Sequence, residues 1–369
     1  MTPEERLALA KERLYAAVHH EKPDRTPILF SSGIAVAKYY NPSIVIADTV
    51  ERPYWVAEQA MCGLEKLKYV DGMNQICQAP NNAQASFWMA RMKQPGVELD
   101  RDELWQIDEV ALMTDEDYDT VLNEGWKCFF DDYMARVGTT AEDFEKGMQA
   151  AIYGDTLLRQ HGYINCPDGM FLPTYDLLCA GRGMLNFAKD LRKKRDTVKA
   201  ALDVLLEYSL ADFKKMAAEH VPEIIFVQPG VRANSDFLSR ERFEELVFPH
   251  FKAMADYALE LGSLVYFHMD GNWDDALDLF TEFPRHRCIF DSDGLTNIYK
   301  IKEILGDRMA ITGNLSASLL SVGNPDDVYA EAKTLIEDMG RGFIMAPACS
   351  LPPNIKPECL EAMVAACVE

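Results

Sequence analysis

The chain has 369 residues, 48% hydrophobic and 26% charged, which is enough apolar material for a large core and excludes a disordered chain. A formal charge of −22 argues against nucleic acid and anionic membrane surfaces as partners and reads most simply as solvated acidic helix faces. The nine cysteines, an odd number with no Cys-x-x-Cys pair, form no disulfide framework and point to a reducing compartment.

The first residues are charged, unlike a signal peptide, and no apolar run reaches membrane-spanning length, so a cytoplasmic protein without a membrane partner is expected. Thr2-Pro3-Glu4-Glu5 is a capping pattern with proline at the first helical position, and Leu7, Leu9, Leu14, Ala17 and Val18 give the following helix an apolar stripe. His19 and His20 suit the negative pole at its end and read as surface residues. Thr26–Ser31 is a short buried strand, Val50–Lys66 a helix, and Leu67–Gly72 a second strand carrying Asp71 near its end.

From Met73 to about Asp117 the alternation lapses. Phe87–Lys93, the turn Gln94-Pro95-Gly96 and Leu104–Ile107 read as a β-hairpin, an insertion of the kind that builds substrate pockets, with Trp88 a candidate lining residue. Helices follow over Asp115–Leu122 and Thr140–His161, then a strand near Gly169–Tyr175 and a helical region Leu185–Glu219 broken near Lys194–Asp196. Thereafter strands at Pro222–Gln228, Leu264–His268, Arg287–Asp291, Met309–Gly313 and Gly342–Met345 alternate with helices at Arg240–Leu261, Asp274–Phe283, Ile298–Leu305, Asp326–Met339 and Lys356–Val368.

About eight strands in β-then-α order predict a (β/α)8 TIM-type barrel, a single domain over 1–369 with a β-hairpin insertion at about 73–117. No strand is followed by Gly-x-Gly-x-x-Gly, so an open dinucleotide-binding sheet has little support.

Parallel strands place whatever follows their last apolar residues on one rim. That rim would carry Ser31, Ser32, Asp71, Gln228, His268, Asp270, Asp291, Asp293, Asn314 and Cys349. Helix capping accounts for Asp293, Asn314 and Ser316 as readily as function does; Gln228, Asp291, Asn314 and Trp88 are the candidates for substrate contacts. His268 and Cys349 are not favoured caps. Imidazole, carboxylate and thiolate all bind zinc, and three protein ligands leave one tetrahedral position open, so His268, Asp270 and Cys349 are expected to hold a catalytic Zn2+.

Tyr266-Phe-His-Met-Asp-Gly-Asn272, the run from Phe237 to His250, Ala310–Leu315, and Cys349-Ser-Leu-Pro-Pro353 with Leu360–Val364 resemble the uroporphyrinogen decarboxylase superfamily across roughly residues 220–369. The resemblance implies one TIM-type barrel. In the decarboxylases it implies an arginine-rich segment after the first strand, but Ile28–Ala37 contains no arginine. In the cobalamin-linked methyltransferase branch it implies zinc bound by a His-x-Cys pair and a distant Cys, with a corrinoid carried on a partner protein. His268 and Cys349 match that pattern, and Asp270 stands where it has its first Cys. A site with one thiolate is a harder Lewis acid, better suited to oxygen than to sulfur. The expectation is therefore O-demethylation, moving a methyl group from a small methoxylated compound, aromatic ones included, to a corrinoid protein. The alternatives are a decarboxylase and a methylcobalamin:thiol methyltransferase. The loops Ser31–Lys38, 73–117 and Asn234–Phe237 would form the rim on which the corrinoid protein docks.

Overall fold

The computed structural model describes residues 1–77 and 88–369. Residues 78–87, part of the expected insertion and including Phe87, lie outside the described residues. The chain is a mixed α/β fold whose main strands run parallel: β1 Leu29–Ser31, β2 Gly72–Asn74, β5 Ile164–Asn165, β6 Gly169–Met170, β7 Ile224–Val227, β8 Leu264–Met269, β9 Cys288–Ser292, β10 Ala310–Leu315 and β11 Phe343–Pro347. One parallel sheet has the order β1-β2-β5 and the other β11-β10-β9-β8-β7-β6. Two features link them: a parallel bridge from Ile28 to Met345, whose N–H donates to Pro27 O, and the chain itself, which passes from β5 into β6 within four residues. The short strands β3 Arg91–Lys93 and β4 Gln106–Asp108 pair antiparallel, with Arg91 ion-paired to its cross-strand partner Asp108 at 2.6 Å.

Period-two alternation sorts the strand residues into two sets. Leu29, Ile164, Ile224, Leu264, Tyr266, Ile289, Ala310 and Ile344 form one buried cluster, to which the first helix, Pro3–Val18, adds Ala10, Leu14, Ala17 and Val18. Gly72 faces this cluster, and a Cβ there would meet Ile164 O at 2.8 Å and a Leu29 methyl at 2.9 Å. The alternate residues, among them Val265, Phe267, Cys288, Phe290, Ile311, Phe343 and Met345, pack outward with the helices in the larger core. Both bonds of the capping box on the first helix are present, between Thr2 and Glu5.

Two sequence expectations need correction, and one stretch left unassigned proves helical. The helix Pro53–Leu67 continues through Leu67, so the second strand begins only at Gly72 and Asp71 precedes it. Asp71 therefore lies at the opposite end from the rim, where Arg13, Arg25 and the Ile28 amide all donate to its buried carboxylate at 2.7–2.9 Å. The segment after Gly125 is a helix, Trp126–Val137, buried by Trp126, Phe129 and Tyr133; its aromatics at positions i, i+3 and i+7 carry that signal. His20 is only half exposed, with Nε2 3.1 Å from Met309 O and its ring edge-on to His286.

Candidate metal and substrate site

The site grows out of β8. Leu264, Tyr266 and His268 share its inward face, and the β8–β9 register sets His268 opposite Asp291. His268 Nδ1–H donates to Asp291 Oδ2 at 2.5 Å, which leaves Nε2 facing Asp270 Oδ1 at 3.2 Å. Phe226, on the neighbouring strand β7, stacks on the imidazole with ring centroids 5.2 Å apart.

Asp270 is held by the turn that follows β8. Its carbonyl accepts from the indole N–H of buried Trp273 at 2.9 Å, and the Gly271 amide donates to Asp293 at 2.8 Å. Gly271 has φ +93, and a Cβ there would lie 2.1 Å from the Asn234 amide nitrogen, so only glycine fits.

Cys349 lies two residues beyond β11 with φ +67, the left-handed region that a cysteine enters only when its surroundings impose it. Ser31, at the end of β1, supplies part of that constraint. Its hydroxyl lies 3.0 Å from Cys349 O, to which it donates, and 3.1 Å from Ser350 Oγ. Ser32 and Gln75 are left-handed too, so three adjacent strands, β11, β1 and β2, all end in unusual backbone at this rim.

His268, Asp270 and Cys349 each offer a ligand atom, and these atoms lie within 4.8 Å of one another. A cavity of about 90 Å³ opens beside them, lined by Ser31, Asn74, Gln75, Phe226, Tyr266 and Ser350 together with His268, Asp291 and Cys349. Burial works against a charged imidazole, but Asp291 and then the bonds to Asp270, Asp291 and Cys349 outweigh it and hold the His268 pKa well above the usual range. Burial raises the Asp270 pKa and His268 lowers it by more, leaving it below the ordinary value. Burial, with Asp291 nearby, pushes the Tyr266 phenol far up.

The donor set fits zinc. Tetrahedral ligands with bonds of about 2.0–2.1 Å sit roughly 3.3 Å apart, close to the 3.2 Å between His268 Nε2 and Asp270 Oδ1. The Asp291 bond at Nδ1 fixes the tautomer whose free nitrogen points at Asp270, as carboxylates behind metal-binding histidines do.

The other sequence candidates fall elsewhere. Gln228 is buried just past β7 and does not line this cavity. Trp88 is half-buried and packs against the larger core. Asn314 lines a separate shallow groove with Gly294, Thr296 and Glu331. Ser316 caps a helix by accepting from the Leu319 amide, and Asp293 fastens the loop by accepting from Gly271 and Leu295. Sequence reasoning missed Asn74, Gln75, Tyr266 and Phe226. Tyr266 had a usable signal in its spacing of two from His268; Asn74 had none, since the second strand was set too early.

A model of the uroporphyrinogen decarboxylase (URO-D) family matches residues 175–369. The chain belongs to that family. Methylcobamide:CoM methyltransferase MtaA of Methanosarcina barkeri (strain Fusaro / DSM 804) is 28% identical over 188 residues, 49% of this chain and 51% of that protein. A second Methanosarcina barkeri MtaA is 27% identical over 188 residues with the same coverage, so the chain spans about half the length of the curated relatives it matches. A solved structure of a methyltransferase from Methanosarcina mazei shares the fold, with a TM-score of 0.67, 19% identity and 97% coverage of both chains. No helix among the described residues is long and apolar enough to cross a membrane.

Proposed function

We propose that the chain is a zinc-dependent methyltransferase that moves a methyl group from an O-methyl donor to a corrinoid carried on a partner protein. The observation that carries this reading is the convergence of His268, Asp270 and Cys349 beside a small cavity. The similarity to methylcobamide:CoM methyltransferases supports corrinoid chemistry. We also read the two parallel sheets as parts of one eight-stranded barrel in which β5 and β6, three residues apart, count as a single strand, and into whose one domain the β3–β4 hairpin is inserted.

Zinc held by His268, Asp270 and Cys349 would supply Lewis acidity and an open fourth position. The chain's own residues do the rest. Asp291 keeps the proton on His268 Nδ1 so that Nε2 is free to ligate, Ser31 orients Cys349, and Phe226 and Tyr266 shield one wall from water. In the reaction the methyl carbon–oxygen bond breaks, a carbon–cobalt bond forms, and cobalt(I) becomes methylcobalt(III). The leaving oxygen takes up a proton and departs as an alcohol.

The methylcobamide:CoM activity for which the MtaA relatives are named favours a second reading, methyl transfer from a corrinoid to a thiol. Asp270 in place of a second thiolate weighs against it, since sulfur acceptors profit from softer donor sets. A visible spectrum separates the two. Cob(I)alamin mixed with the zinc-loaded chain and methoxy compounds should convert to methylcob(III)alamin. Demethylation of methylcobalamin by thiols, with no methylation from any methoxy donor, would replace the first reading by the second.

A further inference from the structure

The cavity beside His268 has a distinctive chemical lining. The lining combines neutral hydrogen-bonding groups, Ser31, Asn74, Gln75 and Ser350, with apolar surface that includes the aromatic pair Phe226 and Tyr266, whose rings stack at 6.2 Å. Its ionisable side chains other than the tyrosine phenol are His268, Asp291 and the two cysteines, Cys349 and Cys166, with Asp270 alongside His268. Among the described residues, no lysine or arginine lines it. Residues 78–87, Gln-Ala-Pro-Asn-Asn-Ala-Gln-Ala-Ser-Phe, contain none either.

Cations in the neighbouring loops and at the far end are already engaged. Arg232, in the loop after β7, is paired with buried Asp176 at 3.1 Å and faces Glu109 at 3.8 Å. Arg13 and Arg25 hold Asp71. A divalent metal held by Asp270 and a Cys349 thiolate would have its charge offset by them. An anionic ligand entering here would lose its hydration and meet a carboxylate with no cation to compensate. The cavity is also small, about 90 Å³.

Resting on the methyltransferase reading above, we propose that the donor is a small uncharged methoxy compound. Its polar end is received by Ser31, Asn74, Gln75 and Ser350, and carboxylated or sulfonated donors are rejected by charge. Specificity of this kind arises from the absence of a compensating charge for the wrong ligand.

Methoxyacetamide and methoxyacetate have nearly the same shape and differ in charge, so their binding to the zinc-loaded chain, followed by calorimetry or ligand-observed NMR, isolates the claim. The amide should bind at least about tenfold more tightly, because the acid alone brings a like charge beside the carboxylate. Asn74→Lys, checked for an unchanged melting temperature, should reverse the order by adding the missing cation. If the acid binds as tightly as the amide, if neither binds, or if Asn74→Lys leaves the order unchanged, the inference is wrong. The cob(I)alamin spectrum separates this from failure of the parent reading. An amide preference without methyl transfer keeps the charge claim and sinks the methyltransferase, whereas equal methyl transfer from both donors keeps the enzyme and sinks the charge claim.

Discussion

At the scale of single residues, the site depends on partners that stand behind the three candidate ligands. Asp291 is not one of the three candidate ligands, yet its bond to His268 Nδ1 decides which imidazole nitrogen faces Asp270. Asp291→Asn should therefore lower zinc affinity about 10–100-fold, the usual cost of losing such a partner. A competition titration against a chromogenic chelator measures this, and an unchanged affinity would remove Asp291 from the account. The convergence of His268, Asp270 and Cys349 was legible because strand ends in a parallel fold share a rim and because neither histidine nor cysteine is a favoured cap there. Asp291 was legible as a rim residue, but its role was not, because the 23-residue separation from His268 closes only through the β8–β9 register.

At the scale of elements, two long-range polar contacts fasten helices and strands. His250, on the helix Phe248–Glu260, has Nε2 2.9 Å from Asp203 on the helix Arg195–Glu219 and Nδ1 3.3 Å from the Thr174 hydroxyl. Burial dominates its environment, and with Lys199 lowers the pKa below the ordinary 6.5, although Asp203 pulls upward. A depressed folded pKa means that the unfolded chain takes the proton first as pH falls. The contribution of His250 is thus fully present above about 6.5 and is lost as pH drops toward the folded pKa. His250→Gln should flatten the fall in stability between pH 7 and 5 relative to the unchanged chain, in which His20, shifted in the same direction, still contributes. Denaturant melts at several pH values give the slopes, and identical slopes would contradict the assignment.

The second contact, Asp71 with Arg13, Arg25 and the Ile28 amide, joins the first helix and the start of β1 to β2. Asp71→Ala leaves two nearly buried guanidinium groups short of a partner and should cost about 3–5 kcal/mol of folding stability. Zinc stoichiometry of the folded fraction should not change, because Asp71 lies at the end opposite the site. An effect on metal without an effect on stability would restore Asp71 to the rim. The sequence misled here for a physical reason: the stretch Leu67-Lys-Tyr-Val70 suits a helix end as well as a strand. Only the distant arginines reveal which end of β2 the acid occupies.

At the scale of the whole molecule, the C-terminal half was the more legible. From Ile224 onward each strand is four to six residues long and opens on buried apolar residues, and the observed strands fall within a residue or two of their expected bounds. The N-terminal half hides its strands. β1, β2, β5 and β6 span three residues or fewer, too short for periodicity to register; the helix Gly33–Tyr40 occupies a stretch that reads as a loop, and Trp126–Val137 one left unassigned. That asymmetry matches the reach of the family resemblance, whose model also begins only at residue 175.

The central claim is that His268, Asp270 and Cys349 together hold one zinc ion. Elemental analysis of purified folded protein tests it most directly, with circular dichroism confirming that each variant is folded. About one zinc per chain is expected in the unchanged protein, with near-complete loss in both His268→Ala and Cys349→Ala. Undiminished zinc in both variants would contradict the account.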